Sequence, residues 1–468
     1  MLKQTKIVAS ISDLRCEVDF IRDLFNAGMN VVRMNTAHAS REGFEKLISN
    51  VRAVSNRIAI LMDTKGPEVR TTASAEGPID FKTGDKVRIV GNPAQETTRE
   101  CIAVTYPGFV HDLSVGADVL IDDGELELKV VEKSEDTLFC EVCNDATLGS
   151  RKSVNVPGVR INLPSLTEKD RNNILYAIEK DIDFIAHSFV RNKQDVLDIR
   201  EILDAHKSDI KIIAKIENQE GVDNIDEILE VADGVMVARG DLGVEVPAEE
   251  VPLIQKSIIR KCNAAGKVVI TATQMLESMQ ENPRPTRAEV SDVANAIYDG
   301  TDAIMLSGES AQGKYPEEAV LTMNKIAHKI EGNLDYASIL RRAIRTADNS
   351  NSSEAICMSV AEIAANFNVS AIIAFTETGA TAKRMSRYRP HCPIIAPTPS
   401  DDTVKKLALN WGVKPVLCKS MKSREGLMDL AMVIAKENGI SAGEQVIVTG
   451  GTPGVSGLTS YLEIVTIK

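Results

Sequence analysis

The sequence has no long hydrophobic run and no excess of basic residues. No stretch of about 18 consecutive apolar residues occurs, so no membrane-spanning helix is predicted. The first residues, MLKQTKIVASISD, lack the apolar core of a secretory signal peptide. Lys and Arg number 54 against 67 Asp and Glu, and the formal net charge of −13 argues against nucleic acid or an anionic membrane surface as a partner. An anionic substrate would therefore need a local cluster of cations.

Closely spaced cysteines are also scarce. The eight cysteines are scattered, and the one close pair, Cys140 and Cys143, has no second pair that would complete a zinc site. The alternating sequence around them, LFCEVC, predicts that both lie in a strand. Scattered thiols in a chain without a secretion signal favour a reduced, cytoplasmic location.

The stretch 210–245 predicts a strand, a helix, a second strand and a loop. Lys215 and Glu217 stand two residues apart at the end of the first strand, so both side chains leave it on one face. The second strand, 234–237, ends in Arg239-Gly240-Asp241. A surface salt bridge and an ordinary helix-start loop are the alternative readings of these two patterns. Opposite charges at the ends of adjacent parallel strands can instead hold a divalent cation and a phosphoryl group together.

The same pattern recurs along the chain. Strands that end in polar residues are predicted to start near residues 6, 30, 58, 184, 210, 234, 268 and 303. All gaps but one have the length of a βα unit, which predicts a (β/α)8 barrel with one insertion. The insertion alternates apolar and polar residues, as antiparallel strands without helices would. Alternating helices and strands after about residue 341 predict an open, parallel α/β sheet with a final edge strand.

Three domains follow from these patterns, and 468 residues give room for their cores. We expect a TIM barrel in residues 1–69 and 159–340. An inserted antiparallel β-barrel lid is expected in residues 70–158, and a C-terminal α/β domain for regulation or subunit contacts in residues 341–468.

Seven segments then identify a family resemblance. In order along the chain these are RMN, DTKGPEVR, KIEN, MVARGDLG, TATQMLESM, RAEVSDVANAIYDG and SGES. Their order and spacing resemble those of pyruvate kinase over essentially the whole chain. The resemblance implies transfer of the phosphoryl group of phosphoenolpyruvate to ADP, giving pyruvate and ATP in the final ATP-forming step of glycolysis. It also implies a homotetramer.

The resemblance implies roles for residues that match these motifs. Lys215 would stabilise the charge of the migrating phosphoryl group, and Arg33 would bind its oxygens. Glu217 and Asp241 would bind Mg²⁺ or Mn²⁺. Gly240, Asp241 and Thr273 would hold the substrate carboxylate, and Thr273 would take part in protonating the enolate. The remaining members of the implied set are nucleotide contacts at Asn35, His38 and Arg70, and K⁺ ligands at Asn35, Asp63 and Thr64.

Glu68 matches the acidic position of K⁺-dependent members of the family. Three departures from the family pattern bear on K⁺ and ADP. Ala37 replaces a hydroxyl ligand of K⁺, Ser10-Ile-Ser-Asp13 replaces a loop that touches the nucleotide, and Asn162 replaces a carboxylate in the return from the lid. We therefore expect activity with an altered dependence on K⁺ or ADP.

A loop of the third domain contains three threonines and a glycine between a strand and a helix. Thr376, Thr378, Gly379 and Thr381 would cradle a phosphate through hydroxyl and helix N–H groups. The family binds sugar-phosphate effectors at this position; a plain capping loop is the alternative. For the whole chain, two other hypotheses stay open: a catalytically weakened, metabolite-sensing paralogue, and a lyase or aldolase that acts on pyruvate enolate.

Overall fold

The computed structural model describes residues 3–36, 40–347, 351–420, 423–451 and 458–468. The chain begins with the first strands of a parallel barrel. The elements are β1 (Lys6–Ser10), α1 (Val18–Ala27), β2 (Val31–Asn35), α2 (Arg41–Val54) and β3 (Ala59–Asp63). Apolar residues recur at helical spacing in α1, so Ile21 and Leu24 are buried against the barrel while its charged residues face outward.

A separate β domain, the lid, is inserted after β3. Its elements are β4 (Ile79–Phe81), β5 (Lys86–Val90), β6 (Cys101–Ala103), α3 (Phe109–Asp112), β7 (Asp118–Ile121), β8 (Leu126–Lys133), β9 (Leu138–Val142), β10 (Ala146–Leu148) and β11 (Val154–Asn155). Six strands pair in the order β11-β7-β8-β9-β5-β6, and β4 pairs with β10. Alternate residues of β5 and β8 point into a core that the lid does not share with the barrel.

Two details of the lid differ from the expectation of antiparallel strands without helices. The short helix α3 buries Phe109 and Val110 in the lid core, because a four-residue helix is too short to show a periodic pattern. Strands β5 and β6 pair in parallel, whereas the other strand pairs of the lid are antiparallel. The direction of pairing depends on the connection between two strands, which residue alternation does not encode.

The barrel resumes after the lid. Its further elements are α4 (Glu168–Glu179), β12 (Phe184–His187), α5 (Lys193–Ala205), β13 (Lys211–Ile216), α6 (Gln219–Asp223), α7 (Ile225–Val231), β14 (Gly234–Ala238), α8 (Arg239–Glu245), α9 (Val251–Ala265), β15 (Val268–Ala272), a 3-10 helix (Glu277–Gln280), α10 (Arg287–Asp299), β16 (Ala303–Leu306), α11 (Gly308–Ala311) and α12 (Pro316–Glu331).

The eight barrel strands close in the order β1-β16-β15-β14-β13-β12-β3-β2. Each begins within one residue of its predicted start. Both faces of these strands are covered, which explains their continuous apolar runs. A capping box begins α4: Thr167 Oγ1 accepts a hydrogen bond from the Asp170 amide at 3.1 Å, and the Asp170 side chain accepts one from the Thr167 amide at 3.2 Å.

The C-terminal domain is an open five-stranded sheet with helices. Its elements are α13 (Tyr336–Arg345), α14 (Ser352–Asn366), β17 (Ala371–Ala374), α15 (Ala380–Arg387), β18 (Ile394–Thr398), α16 (Asp401–Lys406), β19 (Val413–Leu417), α17 (Arg424–Glu437), β20 (Gln445–Gly450) and β21 (Tyr461–Thr466). The order is β19-β18-β17-β20-β21. The first four strands are parallel, and β21 is the predicted edge strand and runs antiparallel to β20.

None of the helices among the described residues has the length and apolar character that crossing a membrane requires. All eight cysteines are free thiols. Cys140 lies buried in β9, and Cys143 follows the end of that strand and is exposed, so the predicted strand includes only the first of the pair.

Candidate active site

The carboxyl ends of β2, β3 and β13 bring four charged side chains together. Lys215 Nζ lies 2.8 Å from Glu217 Oε1 and 3.5 Å from Asp63 Oδ2. Arg33 Nε donates to the same Asp63 oxygen at 3.0 Å, and its Nη2 also contacts that oxygen. The sequence places these residues as much as 184 positions apart, from Arg33 to Glu217. The barrel joins them because parallel strands end at one rim.

Burial makes the charges of Lys215 and Glu217 interdependent. Burial opposes the charge of Lys215, but the carboxylates of Glu217 and Asp63 outweigh it and raise the pKa of the ammonium. Burial likewise raises the pKa of the Glu217 carboxyl, an increase that Lys215 limits and Asp241 reinforces. The protonation of each group therefore depends on the others, and a change at one alters the protonation of its neighbours.

Asp63 is buried and keeps one oxygen without a partner. Burial favours its neutral form, yet the charges of Arg33 and Lys215 hold the pKa of the Asp63 carboxyl below its usual value. Its Oδ2 accepts from Arg33, whereas Oδ1 is buried and has no hydrogen bond. Asn35 is the register neighbour of Asp63 on the adjacent strand. A buried carboxylate oxygen without a donor is a suitable ligand for a cation.

The residues that follow β12 support this charged group, and the sequence analysis gave them no role. Lys215 Nζ donates to Ser188 Oγ at 2.9 Å, and Ser188 Oγ donates to the Thr64 carbonyl at 2.8 Å. The Phe189 amide donates to Glu217 Oε2 at 2.5 Å, with Phe189 at a φ of +56°. A bulky residue in the left-handed region is uncommon and costs conformational energy. The left-handed conformation directs the Phe189 amide toward Glu217, so that the hydrogen bond can form.

Gly240 and Thr273 meet at the ends of β14 and β15. The Gly240 amide donates to Thr273 Oγ1 at 2.7 Å, and that hydroxyl donates to the Ala272 carbonyl at 2.6 Å. Thr273 and Gln274 have φ values of +65° and +52°. Two successive non-glycine residues in the left-handed region mark a turn that the surrounding contacts hold in place.

The contacts that hold this turn come mainly from Arg239. Its guanidinium donates to the carbonyls of Ala272, Thr273 and Gln274, at 3.3, 2.7 and 3.2 Å, and to Asp292 Oδ1 at 2.7 Å. A planar fork with five donors suits several acceptors at once. Arg239 thus joins the start of α8 to the loop that carries Thr273.

Buried Glu309, from the SGES motif, supports the same region. It accepts the amide of Leu276 at 3.1 Å and the amide of Ser307 at 2.8 Å. The motif therefore links the loop after β15 to the end of β16, and its carboxylate is engaged with the backbone.

A cleft of about 790 Å³ separates the lid from the barrel rim. Glu68, Arg70 and Asp241 are among its lining residues. Glu68 Oε1 lies 2.5 Å from Arg70 Nη2, so the two predicted charges form an ion pair at the start of the lid. The Asp241 carboxylate is exposed and makes no hydrogen bond or ion pair within the described part of the chain. It is available as a ligand at the edge of the cleft.

Asn162, which departs from the family pattern, turns toward the lid. Its amide N–H donates to Asp112 Oδ2 at 3.0 Å, and its side chain lies 3.4 Å from Asp112 Oδ1. A carboxylate thus stands beside position 162 although the residue itself carries none. His38 and Ala37 lie outside the described residues.

The predicted effector loop lies in the C-terminal domain, between β17 and α15. Gly379 is the N-cap of α15 with a φ of +86°, which a side chain would strain. Thr376 is buried, Thr378 is exposed, and Thr381 Oγ1 lies 2.9 Å from Thr459 Oγ1. The hydroxyl of Thr381 therefore already has a partner, and the contact brings Thr459, two residues before β21, to the loop.

No cluster of three or more His, Cys, Asp or Glu side chains that could by itself hold a metal ion occurs within the described ranges. A metal bound by one or two carboxylates at the rim would have to complete its shell with substrate oxygens and water.

Comparisons with known proteins agree with this geometry. The pyruvate kinase barrel-domain model matches residues 2–320, and the pyruvate kinase alpha/beta-domain model matches residues 354–465. Two relatives named pyruvate kinase, from Staphylococcus aureus strains MRSA252 and NCTC 8325 / PS 47, are each 50% identical over 471 residues, covering 99% of this chain and 80% of the relative. A crystal structure of a pyruvate kinase from Cryptosporidium parvum has a TM-score of 0.95 at 38% identity, covering 100% of this chain and 96% of that one.

These matches span the barrel, the lid and the C-terminal domain, and they confirm the predicted fold and function. The chain is a phosphotransferase that uses phosphoenolpyruvate and ADP as substrates, and it requires metal ions. Nothing in the comparisons supports a weakened, metabolite-sensing paralogue. With a rim of opposed charges beneath a lid, and with relatives of this identity along its length, the chain belongs to the pyruvate kinase family.

Proposed function

We propose that phosphoryl transfer takes place at the barrel rim around Lys215, beneath the lid. The P–O bond to the enol oxygen of phosphoenolpyruvate breaks as a bond forms to a terminal phosphate oxygen of ADP, and the enolate then takes a proton at carbon. The loose transition state spreads negative charge over three oxygens, which need fixed cations beside them. The observation that carries the proposal is the Lys215 ammonium, buried and held between two carboxylates.

The side chains divide the work as follows. Lys215 and Arg33 stabilise the oxygens of the migrating group. The amides of Gly240 and Asp241, at the start of α8, hold the substrate carboxylate. Thr273 would contribute its hydroxyl to the same carboxylate and to proton delivery. The contact between this hydroxyl and the Gly240 amide supports the role, because it keeps the two groups side by side.

Glu217 and Asp241 would bind Mg²⁺, or Mn²⁺ in its place. Both are hard oxygen ligands that follow the ends of adjacent strands, β13 and β14, and Asp241 has no other partner within the described residues. The bound ion supplies positive charge to phosphoryl oxygens, which the chain's own groups cannot fully provide.

Asn35, Asp63 and Thr64 would bind K⁺. The unsatisfied Oδ1 of Asp63 fits a cation of this kind, and Asn35 lies beside it in register. Glu68 would set the dependence on K⁺. Asn35, His38 and Arg70 would contact the nucleotide, with Arg70 on the wall of the cleft.

A coupled assay with lactate dehydrogenase tests the proposal. Full-length protein is mixed with phosphoenolpyruvate and ADP, with Mg²⁺ and K⁺ added or omitted in turn. We expect turnover that requires Mg²⁺ and rises with K⁺. Absence of turnover at saturating concentrations of both ions would favour the metabolite-sensing paralogue instead.

The loop of Thr376, Thr378, Gly379 and Thr381 would bind a sugar-phosphate effector through its hydroxyls and the N-terminus of α15. A panel of sugar phosphates in the same assay tests this role. A matched Thr378→Val variant should lose any activation, and activation that survives in the variant would reject the loop as the site.

We also propose a homotetramer in the cytoplasm, with domain limits at 1–69 and 159–340, 70–158 and 341–468. Exposed apolar residues on the barrel helices, such as Leu253 and Tyr298, support subunit contacts. Free thiols agree with a reducing compartment. Sedimentation should give roughly four times the chain mass of 50.8 kDa, and a monomer would contradict the tetramer.

A further inference from the structure

A second cavity lies on the opposite face of the barrel from the candidate active site. It has a volume of about 740 Å³. One wall is made by residues at the start of β1 and just before β2 and β3, at the amino-terminal ends of the strands. The other wall comes from the C-terminal domain, around Gly412 and Lys414. The cavity therefore lies at the junction of two domains, where small-molecule sites often occur.

The lining of this cavity is strongly basic. Its cationic residues are Lys3, Lys6, Arg57, Lys325, Lys329 and Lys414. Among the described residues that line it there is neither an aspartate nor a glutamate, and none of the six cations forms an ion pair with a described carboxylate. In a chain with a net charge of −13, such a local excess of positive charge is unusual and needs an explanation.

The two deepest cations are held by neutral groups. Lys6 is buried, and its Nζ donates to the Val413 carbonyl at 2.5 Å. Lys3 Nζ donates to Asn30 Oδ1 at 2.8 Å and to the Thr5 carbonyl at 2.7 Å.

Glu331 is the carboxylate whose charge acts on both lysines, but it accepts the amides of Gln4 and Thr5, at 2.8 and 2.6 Å. Burial lowers the pKa of Lys3 to about 7 and that of Lys6 to about 8. Nearby carboxylates therefore do not fully offset the burial of these two ammonium groups, and a bound anion would stabilise their charged forms.

The cations at the opening of this cavity are explained only in part by the structure around them. Lys325 and Lys329 lie one turn apart on α12, near the carboxyl end, where positive charge interacts favourably with the helix dipole. That effect does not account for Arg57 or Lys414, which come from other elements. The Arg57 guanidinium lies 5.5 Å from the Phe25 ring centroid, so its apolar neighbour leaves the outer donors free for a ligand.

We propose that this cavity binds a small organic anion that carries at least one phosphate group. Several cations on the two walls suit a dianionic group, because each can add a charge-assisted hydrogen bond. Apolar side chains such as Phe25, Met29 and Pro415 line the same space and offer contact to a carbon skeleton. The volume is in the range of small-molecule sites, about 300–1,000 Å³.

A ligand in this position would join the barrel to the C-terminal domain. The two parts already meet there through Lys6 and Val413, and the Gly412 amide donates to the Gln4 carbonyl at 2.9 Å. An anion held by Lys6 on one wall and Lys414 on the other binds the docked arrangement in preference to a separated one. Binding should therefore raise the temperature at which the domains come apart.

The test is calorimetric titration of the full-length protein with inorganic pyrophosphate in buffer free of divalent cations. An Arg57→Gln/Lys414→Gln double variant removes two rim charges that no hydrogen bond of the fold requires. We expect pyrophosphate affinity to fall at least about tenfold in this variant. A Lys169→Gln/Arg171→Gln double variant, with the same charge change on exposed positions of α4, should bind within about twofold of the unchanged protein.

Two further measurements distinguish binding in this cavity from binding at the proposed effector loop. Circular dichroism and turnover of phosphoenolpyruvate should be unchanged in the cavity variant, which shows that it folds. A Thr381→Val variant, altered at the proposed effector loop, should still bind pyrophosphate at the cavity. Equal affinity in the cavity variant and the unchanged protein would overturn the proposal, as would binding that disappears only with Thr381→Val or is absent from the unchanged protein.

Discussion

Lys215 Nζ and Asp63 Oδ2 lie 3.5 Å apart, although β12 separates their strands in the barrel. The rim around them carries two cations, Arg33 and Lys215, and three carboxylates, Asp63, Glu217 and Asp241. Its own charges therefore sum to about −1 if all five are ionised. Such a rim repels a phosphate ester until a divalent cation joins it. A bound divalent cation would offset this imbalance, which agrees with the metal requirement of the enzyme.

Replacement of Lys215 by Met should lower phosphoryl transfer by on the order of 10³-fold, because it removes a preorganised charge donor. Proton exchange into pyruvate should suffer less, since enolisation depends mainly on the metal and Thr273. The coupled assay and solvent deuterium exchange measure the two reactions. Lys211→Met, at the opposite end of β13, serves as the control and should change neither. Equal losses of both reactions in Lys215→Met would reject the division of roles.

Replacement of Glu68 by Lys should reduce the dependence of turnover on K⁺, because the new ammonium can substitute for the charge of the cation. Glu68 also pairs with Arg70, so the change removes that ion pair. Glu68→Gln separates the two effects, as it breaks the pair without adding a positive charge. A K⁺ titration should flatten in Glu68→Lys only. Identical titrations in Glu68→Lys and the unchanged protein would count against this role.

Replacement of Arg239 by Lys should lower turnover by about 10²-fold, the scale expected for a displaced reactive group. A lysine cannot reach the carbonyls of Ala272, Thr273 and Gln274 together, so the left-handed turn at Thr273 should relax. Arg239 is a positioning residue, and kcat should fall more than KM for ADP rises. Proton exchange into pyruvate should fall by a similar factor, because Thr273 takes part in protonating the enolate. Arg200→Lys, at a half-buried ion pair elsewhere in the barrel, is the control. Unchanged proton exchange in Arg239→Lys would contradict the positioning role.

Acid should destabilise the fold through His187. Burial lowers the pKa of His187 from 6.5 to about 4, and its Nε2 has no hydrogen bond. Between those values the unfolded chain binds a proton that the folded chain does not. The free energy of unfolding therefore falls as the pH is lowered from 6.5 to 4, by about 3 kcal/mol from this group.

Urea midpoints at pH 7 and pH 4.5 measure this effect. His187→Asn should show a smaller difference between the two pH values than the unchanged protein does. His206→Asn, on an exposed helix end, should show the full difference. A full difference in His187→Asn would mean that other groups cause the acid sensitivity.

The sequence predicts the parts of this fold that depend on local residue patterns. Strands that end in polar residues and recur at βα spacing predicted the barrel, and alternating apolar and polar residues predicted the strands of the lid. Lys215, Glu217 and Asp241 were identified because parallel strands must end at one rim. The short helix α3 and the parallel pairing of β5 with β6 were missed, because neither leaves a periodic signal.

The supporting roles of three residues around the site were also missed. Ser188, Phe189 and Arg239 act through contacts with segments far away in sequence, and the left-handed conformations of Phe189 and Thr273 depend on those contacts. Such conformations are disfavoured locally and exist only because the tertiary structure imposes them. The local conformational preferences of these residues therefore predict other backbone conformations.

Mn²⁺ binding, measured by electron paramagnetic resonance, tests most directly whether Glu217 and Asp241 together hold the metal. Glu217→Gln and Asp241→Asn should each weaken Mn²⁺ binding by at least about tenfold, because each removes a charged ligand. Glu245→Gln, a carboxylate of the same cleft, should leave it unchanged. If Mn²⁺ binds equally well to Glu217→Gln, to Asp241→Asn and to the unchanged protein, the two carboxylates do not hold the metal, and the proposed arrangement around Lys215 is wrong.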